Sequence, residues 1–238
     1  MEEQFSRSEM LLGTAAMKRL SSCHVAIVGL GGVGSWCAEA LCRTGIGALT
    51  LLDQDQVSVS NLNRQSEALW STIDQPKADA LARRLLDINP GCKLTVQVGR
   101  YEAQTRDAFF SAPYDYIADA IDLVSCKLDL IETALAYGIP ILSALGTGNK
   151  LDPTRLEITD ISRTQGCPLA RIIRRELRKR DIIHHKVVYS SEPAQTPAGP
   201  AETPPPGRRS IPASVMWVPA SAGLLMASEI VRDLILSA

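Results

Sequence analysis

Short apolar runs alternate with amphipathic stretches along most of the chain. The run Val25–Val28 is unbroken by charge, which predicts a strand over 24–28 buried on both faces. A helix is expected from about Gly32 to Arg43, then a turn at Gly45-Ile46-Gly47 and a second strand over 48–52. The next helix begins near Gln75-Pro76-Lys77, because proline suits a first helical turn, and ends before Asn89-Pro90-Gly91. Further strands are predicted at 94–98, 115–121 and 139–143, with helices near 103–110 and 125–136 and a helical stretch over 1–22.

Strand and helix taking turns imply an α/β fold: a Rossmann-like, doubly wound, mostly parallel sheet covered on both faces by right-handed crossovers. The pattern changes after Gly148. Thr154 to Ile161 alternates as a strand does, and Cys167 to Arg180 reads as a basic helix. Residues 190–213 hold seven of the 14 prolines and read as a long surface loop with freedom to move. A return to the sheet over 215–218 and a helix from Ser221 to Leu236 would complete a C-terminal strand-loop-helix extension of one domain spanning 1–238. The uncharged stretch Ser210–Ser228 contains Pro212, Pro219 and Gly223 and is followed by Glu229, Arg232 and Asp233. That suits a helix packed on the sheet, and no stable membrane insertion is expected.

Composition narrows the function. With 238 residues, 45% hydrophobic, the chain can bury one sizeable core. A net charge of −1 excludes a globally basic nucleic-acid binder but not a local basic face. None of the six cysteines forms a Cys-x-x-Cys pair, so neither a zinc knuckle nor a thioredoxin motif is present. The start of the chain, Met1 to Phe5, has no basic region followed by an apolar core. No secretory signal is expected there, and the cytoplasm is the default expectation.

The candidate chemistry sits where the first strand ends. Gly29, Gly31 and Gly34 fit a dinucleotide-type turn, with Gly32 a fourth glycine, and the following helix N-terminus favours an anion. Asp53 closes the second strand, where a carboxylate can accept ribose hydroxyls, and Asp55 follows it. Asn61, Asn63, Arg64, Gln65 and Lys77 then form a dense polar cluster. Arg64 can fork onto phosphate oxygens and Lys77 offers a point charge, which suits the triphosphate of ATP better than NAD. Asp119 and Asp122 close a central strand. Asp122 can hold Mg²⁺ on phosphates, or either carboxylate can simply cap the strand end.

These pieces together resemble the ThiF/MoeB/E1 superfamily of ATP-dependent adenylating enzymes: Gly29 to Gly34, Asp53-Gln54-Asp55, Asn61 to Gln65, Gln75-Pro76-Lys77, Ile88-Asn89-Pro90 and Asp119 to Asp122. The resemblance implies that Gly32 lies against the phosphates, Asp53 holds the ribose, Asn61, Arg64 and Lys77 contact ATP, and Asp122 binds Mg²⁺. It also implies a homodimer, with Arg7 reaching into the partner's ATP site.

Arg43 to Gly47, Asp152 to Arg155, Asp160-Ile161-Ser162, the basic stretch Pro168–Lys179 and Val218 to Leu224 are more specifically similar to the tRNA threonylcarbamoyladenosine dehydratase group. That implies ATP-dependent cyclisation of N6-threonylcarbamoyladenosine next to the tRNA anticodon, through an acyl-adenylate. The side-chain carboxylate attacks the α-phosphate and pyrophosphate leaves. A tethered nitrogen of the same side chain then displaces AMP, with net loss of water. The alternative is a MoeB- or ThiF-type enzyme that adenylates the C-terminus of a ubiquitin-like or sulfur-carrier protein. Cys167 would be the candidate for a thioester, or a plain helix-entry residue.

Between Arg171 and Lys186 the local balance is +5. Arg171, Arg174, Arg175, Arg178 and Lys179 are candidate contacts to the anticodon stem-loop of tRNA, or else a solvated helix face, and Arg155, Arg208 and Arg209 can extend that surface. His184 and His185 read as surface residues rather than metal ligands. Gly146-Thr147-Gly148-Asn149 either lines the acyl-substrate pocket or is a turn.

Overall fold

The charge-free run after His24 forms the central strand, and its alternate residues feed two cores. Val25 and Ile27 pack with Leu41, Leu81 and Met226 on one side, while Ala26 and Val28 pack with Leu130, Ile131 and Ile173 on the other. The structure, a computed structural model, describes residues 3–199 and 212–236.

The elements are α1 (Ser6–Leu12), α2 (Thr14–Leu20), β1 (His24–Val28), α3 (Gly34–Thr44), β2 (Ala48–Asp53), α4 (Lys77–Ile88), β3 (Lys93–Val98) and α5 (Arg106–Phe109). They continue with β4 (Tyr116–Asp119), α6 (Val124–Ala136), β5 (Ile141–Ala144), β6 (Leu156–Asp160), α7 (Pro168–Arg178), β7 (Lys186–Ser190) and α8 (Trp217–Leu236). The strands form one sheet in the order β3-β2-β1-β4-β5-β7-β6. Every neighbouring pair is parallel except β6 with β7. Helices α3, α4 and α8 bury one face, and α5, α6 and α7 the other. This is the doubly wound arrangement expected, with elements from both halves of the chain in the same sheet.

Three details depart from expectation. The N-terminal stretch is two helices, broken at Gly13, whose φ is +87°. Residues 215–218 are not a strand: Val215 and Met216 are irregular and Trp217 begins α8, with Pro219 tolerated in its first turn. The place beside β5 belongs instead to β7, whose Val187-Val188-Tyr189 core is rich in β-formers and was not foreseen as a strand. Of the proline-rich stretch, 200–211 lies outside the described residues, including Pro204 to Pro206, Arg208 and Arg209. Among the described residues no helix is long and apolar enough to cross a membrane.

Candidate nucleotide site

The strand order reverses at β1, with β2 on one side and β4 on the other, and open α/β sheets bind ligands at that switch point. A cleft of about 560 Å³ opens there, at the C-terminal ends of β1, β2 and β4. Its floor is the glycine turn between β1 and α3. Gly29 has φ +89°, and a Cβ on it would lie 2.7 Å from the Ala120 carbonyl oxygen. A Cβ on Gly34 would sit 1.8 Å from the Gly29 oxygen, so only glycine lets the turn close. Gly31 and Gly32 line the cleft, and a Cβ on Gly31 would meet nothing nearer than the Gln65 amide at 3.8 Å. Among the described residues no side chain caps the N-terminus of α3.

Asp53 ends β2 and is tied to that turn. Its carboxylate accepts the Leu30 N–H at 2.6 Å and the Asp55 N–H at 2.8 Å. Burial raises its pKa above the usual carboxylate value, against the pull of Lys77 and those two N–H groups. Lys77, at the first position of α4, is almost wholly buried yet reaches the cleft, and its ammonium lies 3.2 Å from Asp55. Arg64 projects from the segment after β2, donating to Ser60 O and Asn63 Oδ1, both at 2.9 Å. The Trp36 indole of α3 donates to the Arg64 carbonyl at 2.9 Å and holds this segment on the glycine turn. Asn61 lines the cleft while its side-chain oxygen accepts the Ser58 N–H at 3.1 Å. Asn63 stands off the lining and donates to Ser214 O at 3.0 Å.

Asp122 follows β4 and lines the opposite wall. Among the described residues no group of three or more His, Cys, Asp or Glu is placed to hold a metal ion. The Asp122 carboxylate, facing the glycine turn across the cleft, would suit Mg²⁺ carried on a nucleotide, since that ion keeps several waters and takes one or two carboxylates plus phosphate oxygens.

Asp119 does more than cap its strand. One oxygen accepts the Ile121 N–H at 3.0 Å and shapes the loop that carries Asp122. The other accepts from the Lys127 ammonium and the Ser143 hydroxyl, each at 2.6 Å. His185 continues the chain, its Nε2 2.7 Å from Ser143 Oγ. His185 is therefore not a surface residue. Burial, reinforced by Lys127 and opposed by Asp160, pushes its pKa down to about 3. His184 is exposed, 3.3 Å from Asp160.

Beyond β5, Thr147 of the Gly146–Asn149 turn lines the cleft. Asn149, at φ +57°, fastens both ends of the described proline-rich stretch. Its N–H donates to Ala213 O, its Oδ1 accepts the Ala213 N–H, and its carbonyl accepts the Gln195 N–H, all at 2.7 Å. Cys167 is buried outside the cleft, and its Sγ accepts the Ala170 N–H at 3.5 Å as the N-cap of α7. All six cysteines are free and buried.

The basic helix α7 divides. Arg171, Arg175, Arg178 and Lys179 are exposed. Arg175 and Lys179 each pair with Glu176 at 3.0 Å. Arg174 turns inward, donating to the carbonyl and hydroxyl of Thr164 at 2.6 Å, which removes it from the outer face.

Of the residues expected at the site, Gly29, Gly31, Gly32, Asp53, Asp55, Asn61, Arg64, Lys77 and Asp122 meet in the cleft, and Gly34 supports it from behind. Arg7 is exposed on α1 and does not line this cleft. Sequence reading missed Gln54, Arg100, Tyr101 and Cys126 on the lining. Gln54 and Arg100 hydrogen-bond at 2.8 Å, and their place just beyond β2 and β3 was the available signal.

Comparison with known proteins agrees with this fold. The tRNA threonylcarbamoyladenosine dehydratase of Bacillus subtilis is 39% identical over 243 residues, covering 99% of this chain and 96% of that protein. The crystal structure of Escherichia coli tRNA N6-threonylcarbamoyladenosine dehydratase, TcdA, in complex with ATP superposes with a TM-score of 0.90 at 32% identity, covering 99% of this chain and 95% of the other. Its complex with AMP gives the same TM-score at 33% identity and the same coverage. Residues 5–236 match the ThiF family, and the chain belongs to it.

Proposed function

We propose that this chain is an ATP-dependent tRNA threonylcarbamoyladenosine dehydratase. The observation that carries the reading is the meeting of the glycine turn, Asp53, Arg64, Lys77 and Asp122 in one cleft at the sheet's switch point. The near full-length likeness to an ATP-bound dehydratase supports it. In this reading Asp53 receives the ribose while Arg64 and Lys77 hold the phosphates. The substrate's threonyl carboxylate attacks the α-phosphorus, and the bond to pyrophosphate breaks. A nitrogen of the same side chain then attacks the activated carbonyl and AMP leaves. Arg64 and Lys77 meet charge where it develops on the phosphoryl oxygens. Mg²⁺, held by Asp122 and the phosphates, would neutralise further charge there.

The tRNA approaches over the exposed face of α7, where Arg171, Arg175, Arg178 and Lys179 meet phosphates. Helix α7 starts at Pro168, one residue after Cys167, whose sulfur would be 3.1 Å from a Cβ on Gly146. That places its origin beside the turn whose Thr147 lines the cleft. A homodimer in which Arg7 completes the partner's site is part of the same proposal, as are a cytoplasmic location and a sulfur-transfer partner.

The test is AMP and pyrophosphate formation that depends on tRNA carrying the threonylcarbamoyl group. Arg64→Ala and Asp122→Asn should each reduce it at least about a hundredfold with the fold intact. Unchanged rates in both would place the chemistry elsewhere. Arg7→Ala should behave likewise, and full activity of a strictly monomeric preparation would remove the dimer. Pyrophosphate exchange that needs a protein with a free diglycine terminus instead of tRNA would favour a carrier-protein adenylyltransferase.

A further inference from the structure

Two residues along the chain from the cleft lining lies a carboxyl group that the reaction above does not use. Glu67 is 1% exposed, and among the described residues neither of its carboxyl oxygens has a hydrogen bond of good geometry. It sits two residues after Gln65, which lines the cleft and whose buried side-chain oxygen also lacks a partner. The Glu67 carbonyl accepts the Thr72 hydroxyl at 2.7 Å, which fixes the backbone while leaving the carboxyl to its surroundings. Leaving a charged carboxylate buried without donors is costly, so such a group is retained at a cost to stability.

We propose that Glu67 is a positioning residue for nucleotide binding: uncharged, it leaves the Lys77 ammonium directed at the triphosphate, and ionised, it draws that ammonium inward and weakens the grip. The inference rests on the ATP reading given above. The groups around the carboxyl support it. From α4 it faces the field of Lys77, and it acts in turn on Arg84, which is bonded to Glu39 at 2.7 Å. From β2 it feels Asp53, and from α3 the Ser35 hydroxyl. Burial dominates and pushes its pKa up to about 8, with Asp53 adding; its own N–H, Lys77 and Ser35 offset this only in part. Among the described residues Lys77 forms one salt bridge, to the exposed Asp55 at 3.2 Å, so a buried carboxylate nearby competes for the same charge. A bound triphosphate adds negative charge nearby and favours the neutral acid further. Affinity is then highest where Glu67 carries its proton and falls as it ionises.

Titration calorimetry of ATP with Mg²⁺ on the full chain, from about pH 6.5 to about pH 9.5, tests this. The expected result is a roughly tenfold loss of affinity across the upper half of that range in the wild type, about one pKa unit of linkage. Glu67→Gln, locked neutral, should match the wild type within about twofold at the acid end and lack the loss at the basic end. Identical profiles in the two proteins, or a flat wild-type profile, overturn the proposal. Should Glu67→Gln fail to fold, the wild type decides alone: loss for ATP with unchanged affinity for adenosine upholds it, and parallel loss for both overturns it. Absence of ATP binding at every pH removes the ATP reading itself, and this inference with it.

Discussion

The Lys127 ammonium lies 2.6 Å from the Asp119 carboxylate, and solvent reaches neither side chain. Asp119 also anchors the loop leading to Asp122, so this buried pair links the core to the cleft. Removing one partner of a buried pair strands the other. Lys127→Met should cost about 3 kcal/mol in urea denaturation at neutral pH. It should also lower ATP affinity, because the Asp122 loop loses its support. A change within about 0.5 kcal/mol would mean that the pair is not coupled to the fold.

The glycine turn separates folding from binding. A Cβ on Gly34 would collide with the Gly29 carbonyl at 1.8 Å, whereas one on Gly31 projects toward the cleft without a close neighbour. Gly34→Ala should lower the midpoint of thermal unfolding by several degrees, a loss of about 2 kcal/mol or more. Gly31→Ala should leave that midpoint nearly unchanged and weaken ATP binding. Equal thermal effects of the two would contradict the assignment of their roles.

His185 should make the protein acid-sensitive. Its folded-state pKa is depressed to about 3 from an ordinary 6.5. The unfolded chain therefore binds more protons than the folded one between those values. The stability that neutral His185 secures is complete above the unfolded value and is lost as pH falls toward the folded one. By about pH 5 the loss is about 2 kcal/mol. Chemical denaturation at neutral and acid pH should show His185→Gln with a shallower acid slope by that amount. An unaltered slope would mean that other groups govern acid unfolding.

The outer face of α7 should carry the tRNA. Arg171→Ala and Arg178→Ala should each weaken tRNA binding and reduce the slope of log affinity against log salt by about one. Arg174→Ala should act differently, lowering stability by about 1 kcal/mol or more through its lost bonds to Thr164. Salt slopes unchanged in both outer variants would leave α7 as a solvated face.

How much of this was legible in the sequence depends on how local each signal was. Strands β1, β2 and β4 announce themselves as apolar runs ending in glycine or aspartate, and the polar cluster Asn61 to Lys77 has the spacing the cleft requires. Strand β7 was hidden because Lys186 closes a basic stretch, so its short Val187-Val188-Tyr189 signal follows charge rather than a turn. Residues 215–218 misled for the opposite reason, since a brief apolar run fits a strand or a buried helix start and only packing decides. The partner of the buried His185 ring is Ser143 of β5, which no local pattern encodes. Arg174 was readable: it lies four residues after buried Ala170 and three before buried Leu177, on the inward side of α7.

Nucleoside mass spectrometry of tRNA incubated with the enzyme, ATP and Mg²⁺ decides whether the cyclisation takes place. N6-threonylcarbamoyladenosine should lose the mass of one water, with one AMP and one pyrophosphate formed per event and no conversion when ATP is omitted. Unmodified nucleoside after incubation with protein shown to bind ATP, or conversion without ATP, would contradict it.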